Sequence, residues 1–340
     1  MRRSLTILLI VIATGCGPSS PQGAEFYVFG TLLEIQLPAA DEREAAEIFT
    51  ELQPEFQRMH REWHAWEPGD LQRLNRAIAT GQSAPATPDI IELIRRSQEM
   101  ERLSAGCFNA ATGKLISAWG FHTSEFPVTS PAPGRAQIQA IIETLPSTLD
   151  IEIKGDLVSA LNPQVQLDFG GIAKGYAADL AMEMVEGRGQ AEAIINAGGD
   201  VRVLGSNRGK PWRIGVRDPR GGIAGAIEIE GNLAVFTSGN YERYRQDGDQ
   251  RLAHILDPRT GWPVSEVSSA TVIASDGTTA DAAATALVVA GPDGWLDVSI
   301  RMGVVAALVI DASGTMQATP SMMKYFTPAT GREVTIVDAD

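Results

Sequence analysis

The sequence predicts an α+β fold. Short apolar segments follow one another through tight turns, and helical segments lie between them without alternating strictly with the strands. A doubly wound parallel sheet would need that strict alternation, so it is not favoured. The 340 residues, 44% of them hydrophobic, are enough for a substantial core, and neither an internal repeat nor a linker after residue 25 is found.

The elements are predicted in chain order from the spacing of apolar residues and from turn residues. In the first half, the expected elements are a strand over residues 26–37, a helix over residues 45–59, a helix from Pro88 to Gly106, a hairpin of residues 149–153 and 157–161, a short strand at 165–169 and a helix at 173–185. In the second half, they are strands at 193–195, 201–204, 212–216, 226–229, 233–236 and 270–274, a helix at 279–289 and a strand at 304–310.

The N-terminus has the pattern of an export signal. Arg2 and Arg3 precede an apolar stretch of residues 5–13, which is shorter than the about 20 residues that span a bilayer. It ends in Ala13-Thr14-Gly15-Cys16, which resembles a bacterial lipobox with Ala13 at the usual Leu position. We therefore predict a lipoprotein signal over residues 1–16 with Cys16 acylated, a flexible tether at 17–24, one domain at 25–330 and a tail at 331–340. A plain secretory signal with a chance cysteine is the alternative.

Composition limits the classes of partner. The formal net charge of −14, without a run of Lys and Arg, disfavours nucleic-acid binding. The same acidity means that a phosphate ligand needs local cations, backbone N–H groups or a metal ion. If Cys16 is acylated, Cys107 is the only other cysteine, no intrachain disulfide is possible, and Cys107 is expected to be a buried apolar residue rather than a nucleophile.

Two glycine pairs follow short apolar segments, each beside an acid. Asp168 precedes Gly170 and Gly171, and a helix carrying Lys174 follows. Glycines allow close approach of the backbone to a ligand, and a helix N-terminus and a lysine attract an anion, so the segment is a candidate phosphate site. A tight connection without a ligand has the same composition. The second pair, in Asn196-Ala197-Gly198-Gly199-Asp200, also fits a hairpin turn capped by Asp200.

Two further segments carry candidate catalytic groups. His254 stands just before a Pro-Arg-Thr-Gly turn and could be a general base, although a lone histidine beside apolar residues is often structural. Asp281 and Thr285, spaced i, i+4 among alanines, share a helix face and offer the oxygen ligands that Mg²⁺ prefers. Alternatively, Asp281 caps that helix. No Ser-His-Asp arrangement, phosphate-binding Walker loop or dinucleotide fingerprint is found.

Taken in order, these segments resemble the FAD:protein FMN transferases of the ApbE family over nearly all of residues 24–325. Phe29-Gly30-Thr31 resembles the family's Met-Gly-Thr, and Gly106-Cys107-Phe108-Asn109 resembles Gly-x-Phe-Asp. The segments around Trp66, Asp168, Asn196, Thr237, His254 and Asp281 follow in family order. Two departures are Phe29, in place of Met, and Asn109, in place of Asp.

The resemblance implies a T-fold-like protein of two parts, with FAD in the cleft between them and Mg²⁺ on its diphosphate. It implies metal ligands at Asp281, Thr285 and the Gly171 carbonyl, and catalytic roles for Asp281 and for His254 as the base. The implied FAD contacts are Phe29, Trp66, Cys107, Phe108, Asn109, Asp168, Lys174, His254 and Ile255.

The implied activity is transfer of FMN from FAD to a Thr or Ser hydroxyl of an acceptor protein, with release of AMP. The implied acceptor is a subunit of a membrane redox complex, and the expected location is the periplasmic side of the bacterial inner membrane, through the lipid anchor. Two alternatives stay open: an FAD pyrophosphatase that yields FMN and AMP, and a periplasmic flavin-binding protein without catalysis.

Overall fold

The computed structural model describes residues 22–338 and confirms an α+β fold. The α-helices are α1 (Glu42–Glu62), α2 (Asp70–Ala79), α3 (Pro88–Leu103), α4 (Gly113–Ala118), α5 (Arg135–Ile142), α6 (Ala173–Gly187) and α7 (Gly277–Arg301). The strands are β1 (Gln22–Val28), β2 (Thr31–Leu37), β3 (Ala84–Pro85), β4 (Ile151–Lys154), β5 (Leu157–Ala160), β6 (Ala193–Ala197), β7 (Asp200–Leu204), β8 (Trp212–Arg217), β9 (Ile223–Ile229), β10 (Leu233–Gly239), β11 (Tyr244–Asp247), β12 (Gln250–Ala253), β13 (Val267–Ala274), β14 (Ala306–Asp311), β15 (Met316–Ala318), β16 (Phe326–Pro328) and β17 (Val334–Ile336).

A nine-stranded sheet in the order β1-β2-β6-β7-β10-β13-β14-β15-β17 forms the centre of the protein. Its neighbouring strands pair antiparallel, apart from the parallel pair of β15 and β17. Both faces of the sheet are covered: in β10, Ala234 and Phe236 join the larger core with α6 and α7, whereas Val235 joins a second core with β8, β9 and β16. Side chains of a strand point alternately to opposite faces, so this alternation follows from the strand itself.

A third, smaller core lies between α4, α5 and the loop after β12. It is built from Leu115, Trp119, Phe121, Val128, Ile138 and Leu256. Arg245 of β11 is buried against it and donates hydrogen bonds to the carbonyls of Trp119 and Ser130. Through these hydrogen bonds, Arg245 connects the Trp-Gly-Phe segment at residues 119–121 to the β11–β12 hairpin, which precedes His254.

Several predicted boundaries differ from the structure. The single strand expected over residues 26–37 is the hairpin of β1 and β2, because the backbone reverses at Phe29 and Gly30, both with positive φ (54° and 70°). Residues 165–169 form no regular strand: Gln166 makes an isolated bridge to Thr112. The helix expected at 279–289 runs from Gly277 to Arg301 with a non-helical residue at Gly291, where Pro292 follows.

The domain limits also shift at both ends of the described chain. Gln22 already pairs with Leu37, so residues 22–24 of the predicted tether belong to β1. Val334–Ile336 of the predicted tail pairs with β15 and extends the sheet. The predicted signal peptide and Cys16 lie outside the described residues. Between residues 22 and 338, no helix combines the length and apolarity needed to span a bilayer.

Candidate functional site

The loop that carries Asp168 is held in place from the side by Asn75 of α2. The buried Asn75 amide donates to the Leu167 carbonyl (2.9 Å) and accepts from the Leu167 N–H (2.8 Å), as a neighbouring strand would. Gly170 N–H then donates to Asp168 Oδ1 (2.8 Å), which closes the turn before α6. Together with backbone hydrogen bonds from Gly113 to Gln166 and from Asp168 to Ala110 (both 2.8 Å), these bonds hold a segment that forms no regular strand.

Asn75→Ala is expected to lower the free energy of unfolding by about 2–4 kcal/mol, because it leaves two buried backbone groups of Leu167 unpaired. Chemical denaturation monitored by circular dichroism measures this. Thr80→Ala, at the exposed end of the same helix, is the matched control and should change stability by less than about 1 kcal/mol. An unchanged unfolding midpoint for Asn75→Ala would contradict the conclusion that Asn75 holds the Asp168 loop in place.

Lys174 lies between two carboxylates that come from distant parts of the chain. Its Nζ is 3.0 Å from Asp200 Oδ2 and 3.1 Å from Asp281 Oδ1. Asp281 Oδ2 accepts from the Gly175 N–H (3.0 Å), and Asp200 Oδ1 accepts from the Thr237 N–H (3.0 Å). The three charged side chains therefore form one hydrogen-bonded cluster at the start of α6, the start of β7 and the second turn of α7.

The pKa values follow from burial and from these neighbours. Burial opposes the charged form of Lys174, but Asp200 and Asp281 outweigh it and raise the pKa of the ammonium. Burial also raises the pKa of Asp281, partly offset by Lys174, and the nearby Asp200 raises it further. The cluster holds one cation and two carboxylates, so it can accept additional positive charge.

Asp281 does not cap its helix. Asp276 is the N-cap of α7 and accepts from the Thr279 N–H (2.8 Å), whereas Asp281 lies further inside and is 2% exposed. The alternative interpretation of Asp281 as a cap is therefore wrong. Its buried carboxylate faces α6, where a side chain at Gly175 would collide with the Gly277 backbone, so the glycine permits the close approach of the two helices.

The predicted metal ligands lie beside one another. A β-carbon placed on Gly171 would be 3.4 Å from Thr285 Oγ1, and Thr285 is one helical turn after Asp281 on the same face. Ser238 Oγ, at the end of β10, is 3.0 Å from Thr285 Oγ1. The same β-carbon position would be 3.4 Å from the Phe108 ring, so Gly171 lies between Phe108 and Thr285 at van der Waals distance.

This donor set fits a hard divalent cation. Asp281, Thr285 and the Gly171 carbonyl are oxygen donors with a single carboxylate, as Mg²⁺ sites that also bind a substrate phosphate have. Among residues 22–338, no group of three or more His, Cys, Asp or Glu side chains is arranged to hold a metal ion. A donor set with a single carboxylate leaves coordination positions that a substrate phosphate and water could complete.

The N-terminus of α6 offers less to an anion than the sequence predicted. The N–H groups of Ile172 and Ala173 donate to the Phe169 carbonyl (3.0 and 2.8 Å), and that of Gly175 donates to Asp281. Most N–H groups at this helix end are therefore already bonded. Lys174 offers a cation at this helix end, but Asp200 and Asp281 already pair with it, so a phosphate here would need a further cation as well.

His254 follows the β11–β12 hairpin, and its orientation is fixed by one carbonyl. Both its backbone N–H and its Nδ1 are 3.1 Å from the Arg243 carbonyl oxygen. A carbonyl only accepts, so Nδ1 carries the hydrogen and Nε2 of the neutral ring keeps its lone pair. Burial, the Arg243 guanidinium and Lys174 lower the pKa of His254 to about 4, so the ring is neutral near pH 7.

The remaining predicted FAD contacts are placed as follows. Trp66 is half-buried and stacks on His122, with ring centroids 4.7 Å apart. The Phe29 ring packs against Trp63 (6.2 Å, stacked), and its N–H donates to His60 Nδ1. Cys107, Phe108 and Ile255 are buried.

Cys107 and Asn109 have structural partners. Burial raises the pKa of the Cys107 thiol, which also interacts with Arg259, so the residue is a buried thiol as expected. Asn109 donates to the Pro146 carbonyl (2.9 Å) and accepts from the Ala111 N–H (2.7 Å). An aspartate could not make the first bond, which gives the departure from the family residue a physical reason.

Three residues near the site were not predicted from sequence. The sequence offers Asp200 only as the cap of a possible hairpin turn; the turn at Gly198 and Gly199 is present, and Asp200 also binds Lys174. Ser238 contacts Thr285. His122 lies 2.9 Å from Asp168 and directly follows the Trp-Gly-Phe segment; as one of only four histidines, it carried a signal that could have been used.

A separate surface cavity of about 420 Å³ contains none of these residues. It lies at the end of α1 and the start of α2. Its lining residues are Arg61, Glu62, Pro68, Gly69, Asp70, Gln72, Arg73 and Arg76. The candidate site is thus defined by converging polar groups rather than by this cavity.

Proteins of known family are similar to this chain in sequence and in fold. The ApbE family model matches residues 29–309. A Rhodobacter capsulatus protein named FAD:protein FMN transferase is 40% identical over 94% of this chain and 62% of its own length. One of the same name from Haemophilus influenzae is 29% identical over 76% of this chain and 77% of its own length.

The fold agrees as well. The crystal structure of the ApbE protein from Thermotoga maritima superposes with a TM-score of 0.82 at 29% identity, covering 90% of this chain and 99% of that one. This chain spans 62% of the length of the Rhodobacter relative, so the similarity concerns that part of the relative. With the family model matched from Phe29 to Val309 and a relative 40% identical over 94% of the chain, the chain belongs to the ApbE family.

Proposed function

We propose that this protein transfers FMN from FAD to a Ser or Thr hydroxyl of an acceptor protein and releases AMP, with Mg²⁺ bound. The observation that carries the proposal is the placement of Lys174 and Asp281 beside Thr285 and Gly171. A cation and an oxygen-donor set at one point are what a diphosphate requires. The names of the Rhodobacter and Haemophilus relatives support the same activity.

In the proposed reaction, the acceptor hydroxyl oxygen attacks the phosphorus of the FMN half of FAD. The P–O bond to the AMP half breaks, AMP leaves, and the hydroxyl proton passes to His254 Nε2. Lys174 stabilises negative charge on the phosphates, and the neutral His254 accepts the proton. When bound at Asp281, Thr285 and Gly171, Mg²⁺ would neutralise diphosphate charge.

No enzyme nucleophile is needed for this chemistry. Cys107 is buried and its thiol has a raised pKa, so it is not an activated nucleophile. The acceptor hydroxyl supplies the attacking atom. Phosphoryl transfer of this kind depends on positioning and charge neutralisation. Lys174 would help to position the phosphates, and a cation held at Asp281, Thr285 and Gly171 would supply the neutralisation, because the Lys174 cluster has one more carboxylate than cations.

The test is incubation of the full chain with FAD, Mg²⁺ and a candidate acceptor protein. Transfer is expected to give a fluorescent flavin band on the acceptor in a denaturing gel and one AMP per flavin attached. Free FMN and AMP without labelled acceptor would instead indicate an FAD pyrophosphatase. Bound but intact FAD would indicate a flavin-binding protein without catalysis, and either result would contradict the proposed transfer.

The proposed acceptor is a subunit of a membrane redox complex, and the proposed location is the periplasmic side of the bacterial inner membrane. The support is the N-terminal sequence, in which a short apolar segment ends at Cys16. A lipid on Cys16 would hold the enzyme at the surface where such an acceptor is exposed.

Cys16→Ser is expected to release the protein from membranes without changing its specific activity, because anchoring and catalysis use separate parts of the chain. Detergent-free fractionation followed by immunoblotting measures the distribution. Ser19→Ala, in the same predicted tether, is the matched control and should remain in the membrane fraction. Membrane association that persists in Cys16→Ser would argue against acylation.

A further inference from the structure

His122 connects an aromatic side chain to a carboxylate within the candidate FAD site. Its Nε2 is 2.9 Å from Asp168 Oδ2, and its ring is stacked on Trp66 with an interplanar angle of 18°. The His122 and Asp168 side chains are 10% and 8% exposed, so water competes little for this bond. Neither His122 nor its partnership with Asp168 was expected from the sequence.

The hydrogen bond fixes the tautomer of His122 and the orientation of the Asp168 carboxylate. An ionised carboxylate only accepts hydrogen bonds, so His122 Nε2 carries the hydrogen and donates it to Asp168 Oδ2. Asp168 Oδ1 accepts from the Gly170 N–H, so the carboxylate is held at both oxygens and cannot rotate freely. Each oxygen retains a lone pair that can accept from an N–H or O–H group of a ligand.

The same contact orients Trp66. Face-to-face packing on His122 restricts the indole plane, and His64 packs on Trp66 in a T-shaped arrangement with ring centroids 4.2 Å apart. A fixed aromatic surface and a fixed carboxylate at one point suit a nucleotide, which presents an aromatic ring and hydrogen-bond donors together. An arrangement held in advance binds more tightly, because less side-chain entropy is lost on binding.

We propose that His122 is a positioning residue that holds Asp168 and Trp66 in the arrangement that binds FAD. The inference rests on the proposed function and deepens it, since it names the residue that organises nucleotide binding. His122 acts through Asp168 and Trp66 and takes no part in the transfer step. Its loss should therefore weaken FAD binding and leave turnover at saturating FAD nearly unchanged.

The experiment compares His122→Phe with His122→Gln in the full chain. Phe keeps a ring against Trp66 but removes the donor to Asp168, whereas Gln places an N–H donor near the position of Nε2. Fluorescence titration with FAD is expected to show binding weakened roughly tenfold or more in His122→Phe and largely restored in His122→Gln. In the transfer assay, KM for FAD should rise in His122→Phe, with kcat changed less than about threefold.

Thr123→Val is the matched control. It alters the next residue of the same loop, where the Thr123 hydroxyl accepts from the Glu125 N–H, and should bind FAD as the wild type does. A purely structural role for His122 predicts lower thermal stability in both variants without rescue of FAD affinity by Gln. Equal FAD affinity in wild type and His122→Phe would overturn the proposal, while failure of the wild type to bind FAD would overturn the proposed function itself.

A measurement on the wild type covers the case in which His122→Phe does not fold. With only four histidines in the chain, ¹⁵N-labelled imidazole signals can be assigned one by one. The His122 signal is expected to show a hydrogen on Nε2 and to shift when FAD is added. A ring with its hydrogen on Nδ1, or a signal that FAD leaves unchanged, would contradict the proposal.

Discussion

Asp281→Asn should reduce Mg²⁺-dependent flavin transfer by roughly a thousandfold or more. The substitution keeps the shape of the side chain and an oxygen that can still accept from the Gly175 N–H. It removes the only carboxylate among the predicted metal ligands and the partner of Lys174 at 3.1 Å. Weaker metal binding should appear as a higher Mg²⁺ concentration for half-maximal activity.

Asp276→Asn is the control for this prediction. Asp276 lies on the same helix, but it caps the N-terminus, a function that asparagine also performs. Its transfer rate and Mg²⁺ dependence should stay close to those of the wild type. If Asp281→Asn keeps both the rate and the metal dependence, Asp281 is not a metal ligand and the Lys174 cluster serves stability instead.

Local patterns in the sequence predicted the parts of the site that lie within one element. Asp281 and Thr285 were placed on one helix face by their i, i+4 spacing, and α7 presents them in that way. The glycine pair at residues 170 and 171 does stand between Asp168 and α6. Both features depend on backbone geometry over a few residues, which spacing alone determines.

Contacts between distant segments could not be predicted in the same way. The Lys174–Asp200 ion pair depends on the pairing of β6 with β7, which brings a turn residue beside the start of α6. The His122–Asp168 bond joins residues 46 positions apart. The reversal at Phe29 was missed because a phenylalanine with positive φ is uncommon and has no sequence signature.

His254→Asn should slow flavin transfer by about 10²–10⁴-fold at saturating FAD, the range that a general base typically contributes. The asparagine amide can still donate to the Arg243 carbonyl, which His254 Nδ1 approaches at 3.1 Å, but it offers no basic nitrogen. FAD affinity should change little, because Lys174, Asp168 and Asp281 remain. Single-turnover flavinylation and FAD titration on the same variant separate the two effects.

The pH dependence gives a second readout for His254. Its pKa is lowered to about 4, so the imidazole stays neutral, and able to accept a proton, from pH 8 down to about pH 5. The wild-type single-turnover rate should therefore not fall near pH 6.5, the ordinary pKa of histidine, and should fall only as the pH approaches about 4.

Added imidazole should partly restore transfer in His254→Ala, because the smaller side chain leaves room for a free base. A structural role predicts the opposite pattern: weaker FAD binding, lower thermal stability and no response to imidazole. Near-normal turnover of His254→Asn at saturating FAD would eliminate the base assignment.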